Sequence, residues 1–350
     1  MSEFDLIATY FTWDEFSFDN DIESKTIDSS NQQSSRVIKS VGDDAAVLSL
    51  AANQQLVTSI DTLVSGVHFP EDTSAHDIAY KALAVNLSDL AAMGAKPEWF
   101  TLALTLPSVD HEWLAEFSKG LKQLASEANI ALVGGDTTSG PLAISIQVMG
   151  SVETGKALYR SGAKQGDSLY VTGFLGDGAL GLLSLQNKIE LNQHDAEYCQ
   201  HRLNCPTARF KESELIKQFA SSCIDVSDGL LQDLSHVLTQ SNAKKSNTEL
   251  DNKPSSELEN ELGAEIDVSK IPLSNALNSI EVNHALQLAL AGGDDYELLF
   301  TVPKHKESDF LASNIETQYQ FTRIGEITYG SGIVNTDKEP LDYKGFNHFS

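Results

Sequence analysis

An apolar helical pattern bordered by short strand-like segments restricts this chain to a mixed α/β fold. The pattern covers about Ile78–Met93, where Leu83 and Leu87 share one helical face, and Gly94 and Pro97 end it. Around it, strands are predicted at Ala45–Leu50, Leu56–Ile60, Phe100–Leu106, Ala131–Val133 and Leu142–Val152, and a second helix is predicted at His111–Ala128. Alternation of the two periods is typical of helices packed on a sheet.

The length of 350 residues indicates two domains. A polar, glycine-containing segment, Thr154–Gly166, separates residues 1–153 from residues 154–350. In the second domain, strands are predicted at Ser168–Thr172, Cys223–Ile224, Glu265–Asp267, Leu298–Val302 and Phe321–Ile327, and a helix at Ala179–Leu185. Ser241–Gly263 is polar and nearly free of large apolar residues, so we expect a flexible surface insertion there.

Composition argues against several classes of partner. The chain has 50 acidic and 24 basic residues, a formal net charge of −26, so we expect no nucleic-acid partner. No apolar run reaches the roughly 18 residues that span a bilayer, so no membrane partner is expected. Three cysteines without CxxC spacing, and an acidic N-terminus unlike a signal peptide, predict a cytoplasmic protein without a disulfide framework.

Aspartates recur beside glycines or other small residues near the ends of predicted elements. Any one of them has an ordinary explanation, because Gly-Asp and Asp-Gly form turns and aspartate often caps helices. The segments are Gly42-Asp43-Asp44, Ser59-Ile60-Asp61-Thr62, Asn86-Leu87-Ser88-Asp89, Gly134-Gly135-Asp136-Thr137, Asp225-Val226-Ser227-Asp228-Gly229 and Gly292-Gly293-Asp294-Asp295.

Two of these aspartates do not fit the ordinary explanation. Asp61 ends a buried-looking strand, and Asp89 lies inside an apolar helix with Asn86 on the same face. A buried carboxylate is costly unless a cation or metal compensates it. Mg²⁺ prefers oxygen ligands and typically takes one or two carboxylates together with substrate phosphates. The aspartates therefore favour magnesium–phosphate chemistry.

Other phosphate and nucleophile motifs do not occur in the sequence. There is no GxxxxGK[ST] loop, no HRD or DFG set, no GxSxG and no HExxH. Gly134-Gly135 and the segment Gly173–Gly178 are first of all turn signals, although their backbone N–H groups could also approach phosphates. His68 is either an inert loop histidine or a ligand contact, and Arg160 is either a solvated arginine or a phosphate clamp.

Taken together, these motifs resemble the thiamine-monophosphate kinase family. The resemblance runs in order from about Phe4 to Phe349 through GDDAAVL, DTLVSGVHF, YKALAVNLSDLAAMGAKP, LVGGDTT, YRSGAKQGD, VTGFLGD, IDVSDGLLQDL, GGDDYELLFTVP and DYKGFNHF. It implies the two-domain, mixed-sheet α/β fold of the aminoimidazole ribonucleotide synthetase superfamily. It also implies a homodimer that forms through the N-terminal sheet, with nucleotide sites near the interface.

Matching motifs carry the family's functional residues onto this chain. The resemblance implies magnesium ligands at Asp44, Asp61, Asp89, Asp136 and Asp225, which with Arg160 would be catalytic, neighbouring metal positions at Ser59 and Ile60, and a further magnesium ligand at Asp228. It implies ATP contacts at Gly135, Asp136, Arg160 and Ser227, and thiamine monophosphate contacts at His68, Asp294 and Phe346.

Three departures from the family pattern are expected to matter locally. Ile60 stands where threonine is common, so only its backbone carbonyl could serve a metal. Asp294 stands where glutamate is common and reaches one methylene less far. The Ser241–Gly263 stretch is longer than in the family.

The resemblance implies in-line transfer of the ATP γ-phosphoryl group to thiamine monophosphate. The alternatives are another ATP-using enzyme of the superfamily or a non-catalytic nucleotide-binding regulator.

Overall fold

The computed structural model describes residues 3–13, 37–41, 45–248, 261–342 and 345, and side chains over most of these ranges. Asp44, Phe346 and the middle of the predicted insertion lie outside the described residues. The chain forms two compact units: Met1–Leu90 with Ala95–Gly155, and Ala91–Gly94 with Lys156–Ser350. Each unit is described by itself.

The described elements of the first unit are α1 (Glu3–Tyr10), β1 (Val37–Lys39), β2 (Val47–Leu48), β3 (Gln54–Val64), α2 (Ala75–Ala92), β4 (Lys96–Leu106), α3 (His111–Ala128), β5 (Ala131–Ser139) and β6 (Ala143–Glu153). The unit is built on a mixed sheet whose described strands run in the order β3-β6-β4-β5. Strands β3, β6 and β4 are antiparallel neighbours, and β4 and β5 are parallel.

Helices α2 and α3 lie close together because a glycine faces the turn of the other helix. A Cβ atom on Gly120 of α3 would stand 2.2 Å from the carbonyl oxygen of His76. Helix α3 has the predicted bounds, and the Asp110 carboxylate caps it by accepting the N–H groups of Glu112 and Trp113. Ser59 of β3 reaches α2 from the face of the sheet that is lined by buried β6 side chains such as Val148.

The opposite face of this sheet is open. On β3, alternate residues face it, and Leu56 and Ile60 are 50% and 62% exposed. The exposed Ala103 of β4 and Gln147 of β6 lie on the same face. A sheet with one face under helices and one face open needs either solvent-compatible residues or a partner.

The second unit holds a mixed sheet whose described strands are β7 (Ser168–Thr172), β8 (Ser222–Val226), β9 (Leu262–Ile266), β10 (Glu297–Val302), β11 (Phe321–Tyr329) and β12 (Ile333–Asn335). Within the described residues they run in the order β12-β9-β11-β7-β10-β8. All neighbouring strands are antiparallel except β12 and β9, which are parallel. Its helices are α4 (Asp177–Leu185), α5 (Gln193–Asn204), α6 (Phe210–Phe219), α7 (Leu230–Thr248), α8 (Asn275–Asn278), α9 (Val282–Ala291) and α10 (Glu307–Thr317).

Both faces of this second sheet are covered. On one side, Tyr170, Phe300, Phe310 and Phe321 form an aromatic cluster. On the other side, apolar residues of α7 and α9 pack on the sheet. Strands β7, β8 and β10 are therefore buried along their whole length. Each helix in the described ranges is too short or too polar to cross a bilayer.

The ends of the predicted insertion belong to the core of the second unit, so the expectation of one flexible loop at Ser241–Gly263 is wrong at both ends. Ser241 is buried on α7, and its hydroxyl accepts the N–H groups of Gly162 and Ala163 at 3.1 and 3.2 Å. Leu262 and Gly263 are buried on β9. Residues 249–260, between α7 and β9, lie outside the described residues.

Two deletions distinguish the contribution that the ends of Ser241–Gly263 make to stability from that of its middle. Replacing residues 249–260 by a short Gly-Ser linker should leave the melting temperature within a few degrees, because the replaced residues are mostly polar and loop closure costs change slowly with length. Deleting all of Ser241–Gly263 should lower the free energy of unfolding by at least about 3 kcal/mol, because the Ser241 acceptor and the buried Leu262 are lost. Equal melting temperatures in thermal unfolding would contradict the assignment.

Candidate functional site

In the first unit, Ser59, Asp61 and Asp89 form an oxygen-lined group between β3 and α2. The Ser59 hydroxyl donates to Asp89 Oδ2 at 2.5 Å. Asp61 is paired with Ile146 and faces α2, as Ser59 does. Strand β3 continues to Val64, so Asp61 lies within the strand and not at its predicted end.

Asn86 connects the two elements that carry these carboxylates. It is fully buried on α2, where its Oδ1 accepts the backbone N–H of Asp61 at 3.1 Å and its Nδ2 donates to the carbonyl of Ala82 at 2.9 Å. Both the oxygen and the nitrogen of the Asn86 amide are therefore hydrogen-bonded, which fixes the position of the Asp61 backbone relative to α2. The sequence places Asn86 on the face of Asp89 but does not show that it binds the Asp61 backbone.

The ionised form of the Asp61 carboxyl is unfavourable in its buried position beside Asp89. Burial, and then the charge of Asp89, raise its pKa from 3.8 to about 6. Within the described residues, no three His, Cys, Asp or Glu side chains converge where a metal ion could bind. Mg²⁺ needs fewer protein ligands than that, because phosphates and water complete its shell. Two carboxylates and a hydroxyl are a donor set that fits it.

Within one chain, Asp136 does not join the Asp61–Asp89 pair. Partner residues cross the sheet in the order Asp61, Ile146, Leu102 and Gly135. Asp136 follows on β5 and is exposed on the other face. It also stands on the opposite edge strand, three strand spacings of roughly 4.8 Å away.

The glycines before Asp136 lie inside β5, so the interpretation of Gly134-Gly135 as a turn is wrong. A Cβ atom on Gly135 would meet the carbonyl oxygen of Leu102 at 2.0 Å. Close approach of β4 therefore requires a glycine at this position, whatever it contacts besides.

Ile60 and His68 occupy different surroundings from the carboxylate pair. The Ile60 side chain points to the open face of the sheet, away from Asp61 and Asp89. His68 lies in the loop after β3, as predicted, and its Nδ1 accepts the N–H of Val64 at 3.0 Å. That bond leaves the ring proton of a neutral His68 on Nε2, which can donate.

In the second unit, the segment after β8 forms a tightly bonded turn. Asp225 is buried on β8, and Ser227 and Asp228 follow it. Asp233 Oδ2 accepts the N–H groups of Ser227, Asp228 and Gly229, each at 3.1 Å. Burial, and then the charge of Asp228, raise the pKa of Asp233 to about 7. Asp233 is not among the predicted site residues, although an acid in the first turn of a helix can accept backbone N–H groups that precede the helix.

Two further predicted residues lie along β8 and the turn that follows it. The backbone N–H of Asp294 donates to the carbonyl of Ser227 at 2.9 Å, just after the strand ends. Arg160 is exposed, and the carbonyl of Tyr159 beside it accepts the N–H of Cys223, near the start of the strand. The second unit thus places Asp294 at the Ser227 turn and the backbone of Arg160 near the other end of β8.

A buried ion network beside this region was not predicted. Glu297 of β10 is fully buried and bonds Arg202 at 2.8 Å and Arg209 at 2.6 Å. Thr172 donates to the same carboxylate. Sequence spacing does not reveal the network, because its other members are 88 to 125 residues away from Glu297.

The first unit, a four-stranded mixed sheet under two helices with carboxylates on its edge strands, belongs to a known domain family. Residues 42–152 match the family described as AIR synthase related protein, N-terminal domain. Thiamine-monophosphate kinase of Escherichia coli (strain K12) is 42% identical over 355 residues, covering 99% of this chain and 98% of its own. The chain belongs to the thiamine-monophosphate kinase family.

Solved structures agree with this placement. Thiamine-monophosphate kinase from Stenotrophomonas maltophilia K279a is 42% identical with a TM-score of 0.78, covering 87% of this chain and 92% of its own. AaThiL complexed with AMPPCP and TMP is 30% identical with a TM-score of 0.73, covering 89% and 92%. The predicted family and fold class are confirmed, whereas the individual site residues stay predictions.

Replacing one carboxylate of the pair should change both activity and metal-free stability. Asp89→Asn should abolish turnover and, in EDTA at pH 8, raise the free energy of unfolding by on the order of 1 kcal/mol. The pKa of Asp61 is raised in the folded protein, so its cost appears only as Asp61 ionises, and the gain should shrink as pH falls from 7 toward 4.

Urea unfolding of both proteins in EDTA and in Mg²⁺ measures this effect, with the exposed Asp72→Asn as the matched control. Asp89→Asn should also lose most of the stabilisation that Mg²⁺ gives the wild type. A variant that is less stable than the wild type in EDTA at pH 8, or equally stabilised by Mg²⁺, would show that Asp89 is structural.

Proposed function

We propose that this chain transfers the γ-phosphoryl group of ATP to thiamine monophosphate, giving thiamine diphosphate and ADP in thiamine diphosphate biosynthesis in the cytoplasm. The observation that carries the proposal is the 42% identity over nearly the whole chain to a thiamine-monophosphate kinase. The oxygen-lined Ser59–Asp61–Asp89 group supports the same chemistry. The AaThiL complex shows that a related protein holds AMPPCP and TMP together.

The residues that would hold Mg²⁺ ions are Ser59, Asp61, Asp89, the backbone of Ile60, Asp225, Asp228, Asp136 and Asp44. Bound ions would neutralise the phosphate charges and orient the two substrates. Asp61 and Asp89 face each other from β3 and α2 and would share an ion, whereas Ile60 contributes no side chain to it. Asp225 and Asp228 flank Ser227, so carboxylates and the ATP contact lie within one turn.

Phosphate binding in the second unit would rely on side chains. The N–H groups of Ser227, Asp228 and Gly229 already donate to Asp233, so Ser227 would contact ATP through its hydroxyl. The exposed Arg160 guanidinium can bind phosphate oxygens in a bidentate manner. Gly135 would add a close backbone approach to ATP on β5.

The acceptor needs no protein base. A phosphate monoester has its second pKa near 6, so the attacking oxygen of thiamine monophosphate is already anionic near neutral pH. The enzyme's task is then positioning and charge neutralisation. His68, with its Nε2–H as donor, together with Asp294 and Phe346, would hold thiamine monophosphate.

A homodimer would complete the site. Asp136 faces the open side of the sheet and stands on the edge opposite Asp61, so one chain does not bring the two together. The open face also carries the exposed Leu56 and Ile60, which a second copy would cover. We infer that Asp136 of one copy works with Asp61 of the other.

The choice of acceptor tests the proposed reaction. We expect thiamine monophosphate to be converted to thiamine diphosphate and free thiamine to remain unphosphorylated, because its neutral hydroxyl would need a general base. Chromatography of reactions with saturating ATP and Mg²⁺ and equal acceptor concentrations measures both products. Equal turnover of free thiamine would contradict the base-free mechanism. ATP binding without any turnover would favour the alternative, a non-catalytic nucleotide-binding regulator.

Complementation between inactive variants tests the shared site. Asp61→Asn and Asp136→Asn, each inactive alone, should recover about a quarter of wild-type activity when co-expressed, because half the dimers are mixed and each mixed dimer has one intact site. Adding Leu56→Glu to both chains should abolish the recovery and yield monomers in light scattering. No recovery from mixed dimers isolated with two affinity tags would contradict the shared site.

A further inference from the structure

The turn between α9 and β10 has a costly backbone conformation. Asp294 and Tyr296 have φ values of 67° and 52°, in the left-handed region that non-glycine residues rarely adopt. Between them, Asp295 is 1% exposed. Such conformations cost about 1 kcal/mol or more each and persist where surrounding contacts hold them, often at functional sites.

Asp295 provides those contacts. Its Oδ2 accepts the N–H of Gly176 at 2.7 Å, and its Oδ1 accepts the N–H of Gly178 at 3.2 Å, at the start of α4. Arg202 donates to its carbonyl oxygen at 3.2 Å. Both oxygens of a buried carboxylate are thus satisfied by backbone donors of one turn, which fixes the position of Asp295.

The residues on either side of Asp295 are tied to the turn after β8. The N–H of Asp294 donates to the carbonyl of Ser227 at 2.9 Å, and the N–H of Tyr296 donates to that of Val226 at 2.8 Å. The segment is therefore held at both ends, and its two left-handed residues turn their side chains toward each other. The Tyr296 hydroxyl donates to Asp294 Oδ1 at 3.2 Å.

Glycine or asparagine would adopt the φ of Tyr296 at a lower cost. A tyrosine thus stands here against its backbone preference, and the hydroxyl that donates to Asp294 is what distinguishes it from phenylalanine. A donor on one carboxylate oxygen also restricts rotation of the short Asp294 side chain.

We propose that Tyr296 is a positioning residue for thiamine monophosphate, which acts by orienting the carboxylate of Asp294 toward the thiamine moiety. The inference rests on the proposed function, in which Asp294 contacts that substrate. Asp295 holds the backbone of both residues in place, and Tyr296 fixes the remaining side-chain freedom. In the proposed function the Asp294 side chain contacts thiamine monophosphate and not ATP, so ATP binding should not depend on the Tyr296 hydroxyl.

Tyr296→Phe removes only the hydroxyl and tests the proposal. The KM for thiamine monophosphate should rise about tenfold, as expected when a hydrogen bond to a charged group is lost. The kcat, the KM for ATP and the melting temperature should stay within twofold or a few degrees of wild type. The exposed Tyr329→Phe on β11 is the matched control and should change none of these values.

A double-mutant cycle distinguishes action through Asp294 from a general structural role. In an Asp294→Ala background, Tyr296→Phe should leave the KM for thiamine monophosphate unchanged. The proposal is overturned if Tyr296→Phe leaves the KM for thiamine monophosphate unchanged in the wild-type background, or if it raises this KM equally in the wild-type and Asp294→Ala backgrounds. It is also overturned if Tyr296→Phe changes both KM values, the kcat and the melting temperature together, beyond the limits given above. Wild-type turnover is measured first: an inactive wild type defeats the proposed function and this inference, whereas an active one with an unaffected Tyr296→Phe defeats this inference alone.

Discussion

Burial of carboxylates in an acidic chain is the constraint on which the functional parts of both units depend. A desolvated carboxylate needs a cation, a set of hydrogen-bond donors or a proton. The chain meets this need in two ways: Glu297 binds two arginines, and Asp233 and Asp295 accept backbone N–H groups. In the Asp61–Asp89 pair, Asp89 accepts the Ser59 hydroxyl, while burial and the charge of Asp89 raise the pKa of Asp61 to about 6. An added cation would offset the repulsion between these two carboxylates, so the pair is suited to one.

Backbone donors used for structure are not available to substrates. Asp233 takes the donors of the turn that holds Ser227, and Asp295 takes those of the turn before α4. Both turns follow strands and contain glycines, which from sequence alone resemble phosphate-binding loops. In the structure the N–H groups of both turns donate to buried carboxylates, so phosphate recognition in the second unit would rely on side chains and cations. Both anchoring acids lie within the motifs that carry the family resemblance.

Local patterns predicted much of the fold, and long-range contacts account for the rest. Helix α3 has the predicted bounds because its apolar stripe and its Asp110 cap are local signals. Helix α5, Gln193–Asn204, is not among the predicted elements because its polar sequence carries little apolar periodicity. Asp61 and Asp89 could be predicted as site residues because a carboxylate in an apolar strand or helix is locally anomalous. The placement of Asp136 on the opposite edge strand could not be predicted, because it depends on the order in which three other strands follow β3 in the sheet.

The geometry of β3 also explains how the chain tolerates isoleucine at position 60. Ser59 and Asp61 face α2, whereas Thr58, Ile60 and Thr62 face the open side of the sheet. A threonine hydroxyl at position 60 would therefore lie on the open side, away from Asp89. Replacing it by isoleucine removes a polar group from that face and adds apolar surface, 62% exposed in the single chain. The substitution thus alters the surface available to a second copy, while the carboxylate pair on the other face of the same strand is left intact.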